Sequence, residues 1–254
     1  PPLFTQDAYN FVMFENVALG YNVGTVTATT MDLNTNITYL IITGDQKGVF
    51  TIDKTTGLIM TAGLIDREDQ SFYYLKVVAS GGPVTGEAIV NITVKDLNDN
   101  SPHFLHAVES VNVVENWKAG HVIFQAKAVD PDEGVNGRVT YGLKQNPLGL
   151  FHVDTISGTV SITGVLDVSA GSYQVEILAA DTGVPQLTSS FILTVSVHDV
   201  NDNPPIFDQL SYEVTLLESE PVNSGFFKIH ASDKDSGANG EISYHITDGN
   251  VGEA

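Results

Sequence analysis

The 254-residue sequence predicts an all-β chain built as a tandem of Greek-key β-sandwiches. Three observations carry that reading. Sequence markers recur at steps of about 100 residues, the length of a whole domain rather than of a solenoid unit. Within each step apolar and polar residues alternate at period two, as on a strand with one buried face. No segment sustains the 3.6-residue apolar period of an amphipathic helix.

The markers share one register. Asp96-Leu97-Asn98-Asp99-Asn100 recurs as Asp199-Val200-Asn201-Asp202-Asn203. Phe14-Glu15-Asn16 recurs as Val114-Glu115-Asn116 and again as Leu217-Glu218-Ser219. Phe50-Thr51-Ile52-Asp53 with Thr56-Gly57 returns as Phe151-His152-Val153-Asp154 with Ser157-Gly158. Asp130-Pro131-Asp132-Glu133-Gly134-Val135-Asn136-Gly137 returns as Asp233-Lys234-Asp235-Ser236-Gly237-Ala238-Asn239-Gly240. These steps divide the chain into repeats over 1–100 and 101–203, and a third over 204–254 that holds only the first half of the pattern. Pro1-Pro2-Leu3-Phe4 resembles Ser101-Pro102-His103-Phe104 and Pro204-Pro205-Ile206-Phe207, so a further repeat is expected before residue 1.

Inside a repeat the strands are short. Ala88, Val90, Ile92 and Val94 alternate with Glu87, Ile89, Asn91, Thr93 and Lys95, and Phe191, Leu193, Val195 and Val197 follow the same rhythm. Thr56-Gly57, Gly81-Gly82-Pro83, Ser157-Gly158 and Asp181-Thr182-Gly183-Val184-Pro185 supply the turns. About seven such strands in ~100 residues is the profile of a Greek-key sandwich.

Composition removes several function classes. Lys and Arg number 11 against 31 Asp and Glu, a net charge of −20. Phosphate and anionic membrane would repel that surface, which argues against nucleic-acid binding. With no cysteine there are no disulfides, no Cys-ligated zinc and no thiol nucleophile. No apolar run approaches the ~18–20 residues that span a bilayer. There is no Gly-x-Ser-x-Gly, no phosphate-cradling glycine loop and no His-carboxylate metal set. Paired carboxylates recur in each repeat, whereas an active site would occur once. The chain therefore reads as no enzyme and as having no small-molecule substrate.

The acidic residues cluster at corresponding points near the repeat ends. Short carboxylates and amides beside backbone carbonyls suit a hard cation, and Ca²⁺ takes 6–8 oxygens in irregular geometry. The loops lack the bidentate Glu and flanking helices of an EF-hand.

Glu15-Asn16, Asp66-Arg67-Glu68, Asp96-Leu97-Asn98-Asp99-Asn100, Asp130-Pro131-Asp132, Asn136-Gly137 and Ala180-Asp181-Thr182 together resemble the calcium motifs of extracellular cadherin repeats, in that family's order and over the whole chain. The resemblance implies immunoglobulin-like, seven-stranded sandwiches arranged end to end, with calcium between successive repeats. It implies as ligands Glu15, Asp66 and Glu68 of the first repeat, and Asp96, Asn98 and Asp99 of the linker with the Leu97 and Asn100 carbonyls. From the second repeat it implies Asp130, Asp132, Asp181 and the Asn136 carbonyl, for three ions in all. Eight carboxylates meet there, and charges ~4 Å apart repel by ~4 kcal/mol at an effective dielectric of 20.

The second junction keeps Glu115, Asp167, Asp199, Val200, Asn201, Asp202, Asn203, Asp233, Asp235 and Asn239, but Asp66-Arg67-Glu68 becomes Asp167-Val168-Ser169. One carboxylate is lost, the third repeat stops short of a counterpart to Asp181, and fewer ions are expected. Thr30-Met31-Asp32 stands where a double-Asp loop would, so a junction before repeat one is expected to be poor in calcium.

Asn36-Ile37-Thr38 and Asn91-Ile92-Thr93 fit the N-glycosylation pattern, and the strand alternation turns Asn91 outward. Trp117, the one Trp, is expected to pack on the end of its own sandwich. Strand-swapping cadherins carry a Trp near the mature N-terminus, and Pro1 to Phe11 hold none. The resemblance therefore points to internal repeats of a long non-junctional cadherin of the Fat, Dachsous, tip-link or protocadherin type. It implies an extracellular location in a membrane-anchored parent and a second cadherin ectodomain as partner, homophilic or heterophilic. Three functions stay open: an adhesion ectodomain, a passive calcium-stiffened spacer, and a carbohydrate-binding or hydrolytic sandwich.

Overall fold

The computed structural model describes residues 1–31, 35–105 and 109–249. Asp32, on which the expectation of a calcium-poor first junction rests, lies outside them.

Among the described residues repeat one forms nine strands: β1 (Leu3–Phe4), β2 (Ala8–Phe14), β3 (Asn22–Thr25), β4 (Ala28–Thr29), β5 (Thr38–Thr43), β6 (Phe50–Ile52), β7 (Leu58–Thr61), β8 (Phe72–Gly81) and β9 (Val84–Lys95). Seven of them make the two main sheets, in the orders β2-β9-β8-β5 and β3-β7-β6, and β1 pairs with β4. The first long strand, β2, runs parallel to the last, β9, with Ala8 opposite Ile89 and Phe14 opposite Lys95. That pairing of first and last strands closes the Greek key.

Repeat two follows the same plan with β10 (His103–Phe104), β11 (Glu109–Val114), β12 (Val122–Gln125), β13 (Ala128–Val129), β14 (Thr140–Gln145), β15 (Phe151–Val153), β16 (Thr159–Ile162), β17 (Ser172–Ala180) and β18 (Thr188–His198). Its main sheets are ordered β11-β18-β17-β14 and β12-β16-β15, and β11 is again parallel to β18. Helical structure among the described residues is limited to three short 3₁₀ turns.

The cores follow the alternation. Ala88, Val90, Ile92 and Val94 of β9 are buried and join Leu75 and Val77 of β8 and Ile59 of β7. Phe191, Leu193, Val195 and Val197 do the same for the second core, with Val160, Ile162, Val175 and Ile177. The repeated Asp-x-x-x-Gly turn has one mechanism in both copies. Asp53 Oδ1 accepts the Thr55 and Thr56 N–H groups at 2.9 and 2.8 Å, and Asp154 Oδ1 accepts those of Ile156 and Ser157 at 3.1 and 2.7 Å. These donors hold both carboxylates below the usual range. Gly57 and Gly158 both sit at φ 73°, and a Cβ at Gly57 would lie 2.2 Å from the Val26 carbonyl oxygen.

The compact units do not coincide with the repeats. One comprises Pro1–His103, Ala128–Thr140 and Ala179–Ser189; the other comprises Phe104–Lys127, Tyr141–Leu178 and Ser190–Ala254. The loops of repeat two that carry Asp130, Asp132, Asn136 and Asp181 thus belong with repeat one. Trp117 is half-buried and its ring stacks on His121 at 3.9 Å, within its own repeat.

Residues 204–249 form only β19 (Ile206–Phe207) and β20 (Ala231–Ser232), which pair with each other, and a 3₁₀ turn at Gly237–Gly240. Leu210, Val222, Phe226 and Ile246 are exposed. A pair of two-residue strands closes no core. Residues 204–254 expressed alone are expected to give no cooperative melt and collapsed amide dispersion. Leu75→Ala in the full chain is expected to cost about 2–5 kcal/mol, measured by chemical denaturation.

Candidate metal centre

Backbone donors fix the acidic residues of the first linker, and all of these residues lie in the first compact unit. Glu15 follows the end of β2 and is 1 % exposed. Its Oε2 accepts the Arg67 N–H at 2.7 Å and its Oε1 the Leu97 N–H at 2.8 Å. One carboxylate therefore ties the end of β2 to the loop after β7 and to the linker after β9. Asp66 Oδ1 accepts the N–H groups of Glu68 and Asp69 at 3.0 and 3.2 Å, a tight turn that leaves Asp66 and Glu68 half-buried.

Repeat two contributes from two loops. Asp132, 7 % exposed, accepts the Asn100 backbone N–H at 3.2 Å and its Nδ2 at 2.7 Å. Asp130 Oδ1 accepts the Asp132 N–H at 3.0 Å. Asp96 accepts the Glu133 N–H at 3.0 Å and Asn136 Nδ2 at 2.7 Å. Asp181 is fully buried and accepts from the Gly183 N–H at 2.9 Å, the Leu187 N–H at 3.0 Å and Asn98 Nδ2 at 3.0 Å.

Oxygens of Glu15, Glu68 and Asp99 fall within 4.8 Å of one another, as do those of Glu68, Asp96 and Asp132. Glu68 belongs to both sets. The Arg67 guanidinium offsets part of this charge, at 2.9 Å from Glu68, 3.3 Å from Asp96 and 3.2 Å from Glu133. Burial pushes the Glu68 carboxyl above its ordinary range against its hydrogen bond from Arg67, and the charges of Glu15 and Asp132 push further. Burial also raises Asp130, helped by Asp132, Asp181 and Asp96. Burial alone would lower Arg67, but its hydrogen bond to Glu68 and the surrounding carboxylates hold it above its usual value.

Two oxygens, Asn98 Oδ1 and Asp130 Oδ2, are buried without a hydrogen-bond partner. Leaving a buried acceptor unsatisfied costs roughly 1–3 kcal/mol. Crowded carboxylates with orphaned amide and carboxylate oxygens form a donor set that fits a hard divalent cation.

The second linker repeats half of this geometry. Asp199 accepts the Ser236 N–H at 3.0 Å and Asn239 Nδ2 at 2.8 Å. Asn203 donates to Asp235 at 3.2 and 2.6 Å, and the Asp235 N–H donates to Asp233 at 2.9 Å. Asp202 accepts from Asn203 Nδ2 at 2.8 Å, and Asn201 is exposed. Glu115 reaches the Val200 N–H only at 3.5 Å. Burial raises the Glu115 carboxyl, and its hydrogen bond with Asp199 adds to that, while Asn239 holds Asp199 down. Asp167 is exposed and caps a 3₁₀ turn through the Ser169 N–H at 2.8 Å, which lowers it. Among the described residues, oxygens of three acidic side chains converge only at the first linker.

Asn16, Arg67 and Glu133 were given no role from sequence. Asn16 Nδ2 donates to Asp99 from a left-handed backbone at φ 55°. The signal was Asn16 directly after the repeated Glu; the Arg67–Glu133 contact spans two repeats and left no local trace.

The cadherin domain family model matches residues 9–95 and 109–198. The chain belongs to the cadherin family. It is 73 % identical to mouse Protocadherin Fat 4 over its whole length, which is 5 % of that protein. It is 37 % identical over 99 % of its length to Drosophila Protein dachsous and spans 7 % of it. Among solved structures, human cadherin-23 EC21-23 matches with a TM-score of 0.82 at 28 % identity, covering 93 % of this chain and 81 % of that one. Mouse cadherin-23 EC22-24 matches with a TM-score of 0.74 at 34 % identity, covering 78 % and 65 %. These cadherin repeats are of the kind found in Fat and Dachsous proteins and are consistent with an adhesion ectodomain. No helix among the described residues is long and apolar enough to cross a membrane.

Because Glu68 and Asp130 are raised, these two groups hold protons in the cation-free native state at a pH where the unfolded chain has released them. Their cost sets in as pH rises past the ordinary carboxylate range and is complete above their raised values. In EGTA, Glu68→Gln is expected to flatten that fall in melting temperature between mildly acidic and neutral pH. Asp181→Ala is expected to cost about 1–3 kcal/mol even without calcium, because the Gly183 and Leu187 donors lose their acceptor. Thermal melts across pH read both.

Proposed function

We propose that this chain is a calcium-stiffened segment of an extracellular adhesion rod, with domains over 1–100, 101–203 and 204–254. The sharing of Glu68 between two carboxylate sets carries the reading, and the orphaned Asn98 and Asp130 oxygens support it. Bound calcium supplies positive charge and a demand for 6–8 oxygens. Glu15, Asp66, Glu68, Asp96, Asn98, Asp99, Asp130, Asp132 and Asp181, with the Leu97, Asn100 and Asn136 carbonyls, would hold it at the first junction, in three ions. Glu115, Asp167, Asp199, Asn201, Asp202, Asp233 and Asp235, with the Val200, Asn203 and Asn239 carbonyls, would hold fewer at the second.

Glu15 and Asp181 pin the loops to their own sandwiches, so each ligand is presented on rigid backbone and little ordering is left for binding. A second cadherin ectodomain, homophilic or heterophilic, is the partner this role requires, and the parent is anchored in the plasma membrane. The residues are assigned no catalytic part.

Calorimetric titration is expected to give dissociation constants in roughly the 10⁻⁴–10⁻³ M range of extracellular modules. Asp99→Ala is expected to weaken the first junction and Ser169→Glu to tighten the second. Small-angle scattering of a chain with its third repeat completed is expected to show two stiffening steps at different calcium concentrations. Coincident steps would remove the asymmetry. Bead aggregation in calcium but not EGTA supports adhesion by this segment; stiffening without aggregation supports a spacer.

A further inference from the structure

The outer face of the β2-β9-β8-β5 sheet in repeat one carries an exposed apolar cluster set among Asn10, Asn91, Thr93 and Lys95. Val12, Phe14, Phe72 and Tyr74 lie on it, each between 47 % and 60 % exposed. Repeat two builds the same sheet without such a face. Ser110, Thr194 and Gln174 stand where repeat one has Asn10, Asn91 and Tyr74, and Gln174 Nε2 donates to Thr194 Oγ1 at 3.1 Å. The fold therefore does not require the aromatic residues. An exposed apolar patch of this kind marks a surface that something covers.

Asn91-Ile92-Thr93 occupies the middle of the face. Asn91 is opposite Asn10 on β2 and Tyr74 on β8, and Thr93 is opposite Val12 and Phe72. The N-x-Thr acceptor and the aromatic pair occur together in repeat one and are both missing at the matching positions of repeat two. We propose that Asn91 carries an N-linked glycan whose first sugars lie on Tyr74, Phe72 and Val12 and cover this face. The inference rests on the extracellular reading above.

Attachment joins Asn91 Nδ2 to the anomeric carbon of the glycan and breaks that carbon's bond to the pyrophosphate of a lipid-linked oligosaccharide donor. The amide gives up one proton and the lipid pyrophosphate leaves; nothing is oxidised or reduced. Asn91 Nδ2 donates one hydrogen to Asn10 Oδ1 at 2.9 Å. The amide has two, so attachment in place of the other hydrogen keeps this bond and fixes the direction in which the sugar departs. The apolar faces of pyranose rings pack on aromatic rings, and Tyr74 is the neighbour across the strand.

The full chain, secreted from a eukaryotic host, is treated with peptide N-glycosidase in heavy-oxygen water and its peptides are weighed. Asn91 is expected to appear as labelled Asp. In the intact glycoprotein, sugar ring protons are expected to shift upfield, and Tyr74→Gln is expected to abolish the shift. Asn91→Gln, and separately Thr93→Ala, are expected to raise hydrophobic-dye binding several-fold, while Asn36→Gln, in an exposed loop, leaves it unchanged. An unmodified Asn91 beside a modified Asn36 overturns the proposal and leaves the extracellular reading standing. So does a glycan at Asn91 whose removal leaves dye binding unchanged and whose ring protons show no upfield shift, or a second copy of the chain found seated on the face by light scattering.

Discussion

A carboxylate taken out of water must be met by donors or by a cation, and the first linker is organised around that constraint. Glu15 at 1 % exposure and Asp181 at full burial are each satisfied by two backbone N–H groups. These bonds cost the fold nothing further and fix the loops. Glu68, Asp96, Asp99 and Asp132 bring their oxygens together, and Asp130 Oδ2 and Asn98 Oδ1 are buried beside them without a donor. Arg67 supplies one positive charge among them. What is left over is concentrated negative charge with orphaned oxygens, the chemistry that a divalent cation resolves.

The same constraint accounts for the difference between the linkers. The Asp-x-Asn-Asp-Asn segments and double-Asp loops make nearly identical hydrogen bonds at both, because the backbone turns that they cap are the same. Replacement of Arg67 and Glu68 by Val168 and Ser169 removes a carboxylate and its neighbouring cation together. Asp167 caps its own turn just as Asp66 does, but sits exposed where Asp66 is half-buried. Local turn chemistry persists where the charge cluster does not.

Two sheets of one topology also carry different surfaces. Repeat one places Phe72 and Tyr74 outward, and repeat two places Gln174 in the matching row. The inward row of each strand answers to the core, so it is set by the fold. The outward row answers to whatever meets the surface.

Read alone, the sequence determined the repeat period, the all-β class and the buried rows of β9 and β18, because period-two alternation and turn residues act over a few neighbours. The candidate ligand set came from the resemblance of the motifs, and Glu15, Glu68, Asp96, Asp99 and Asp132 of that set bring their oxygens close together in the structure. Only the tertiary structure decided that two loops of repeat two join the first compact unit, that Glu68 belongs to both oxygen sets, and that Arg67 reaches Glu133. It also set apart Asn98 Oδ1 and Asp130 Oδ2 as acceptors without partners. Each of these depends on distances between residues far apart in the chain, and no local pattern encodes a distance across a turn of the fold.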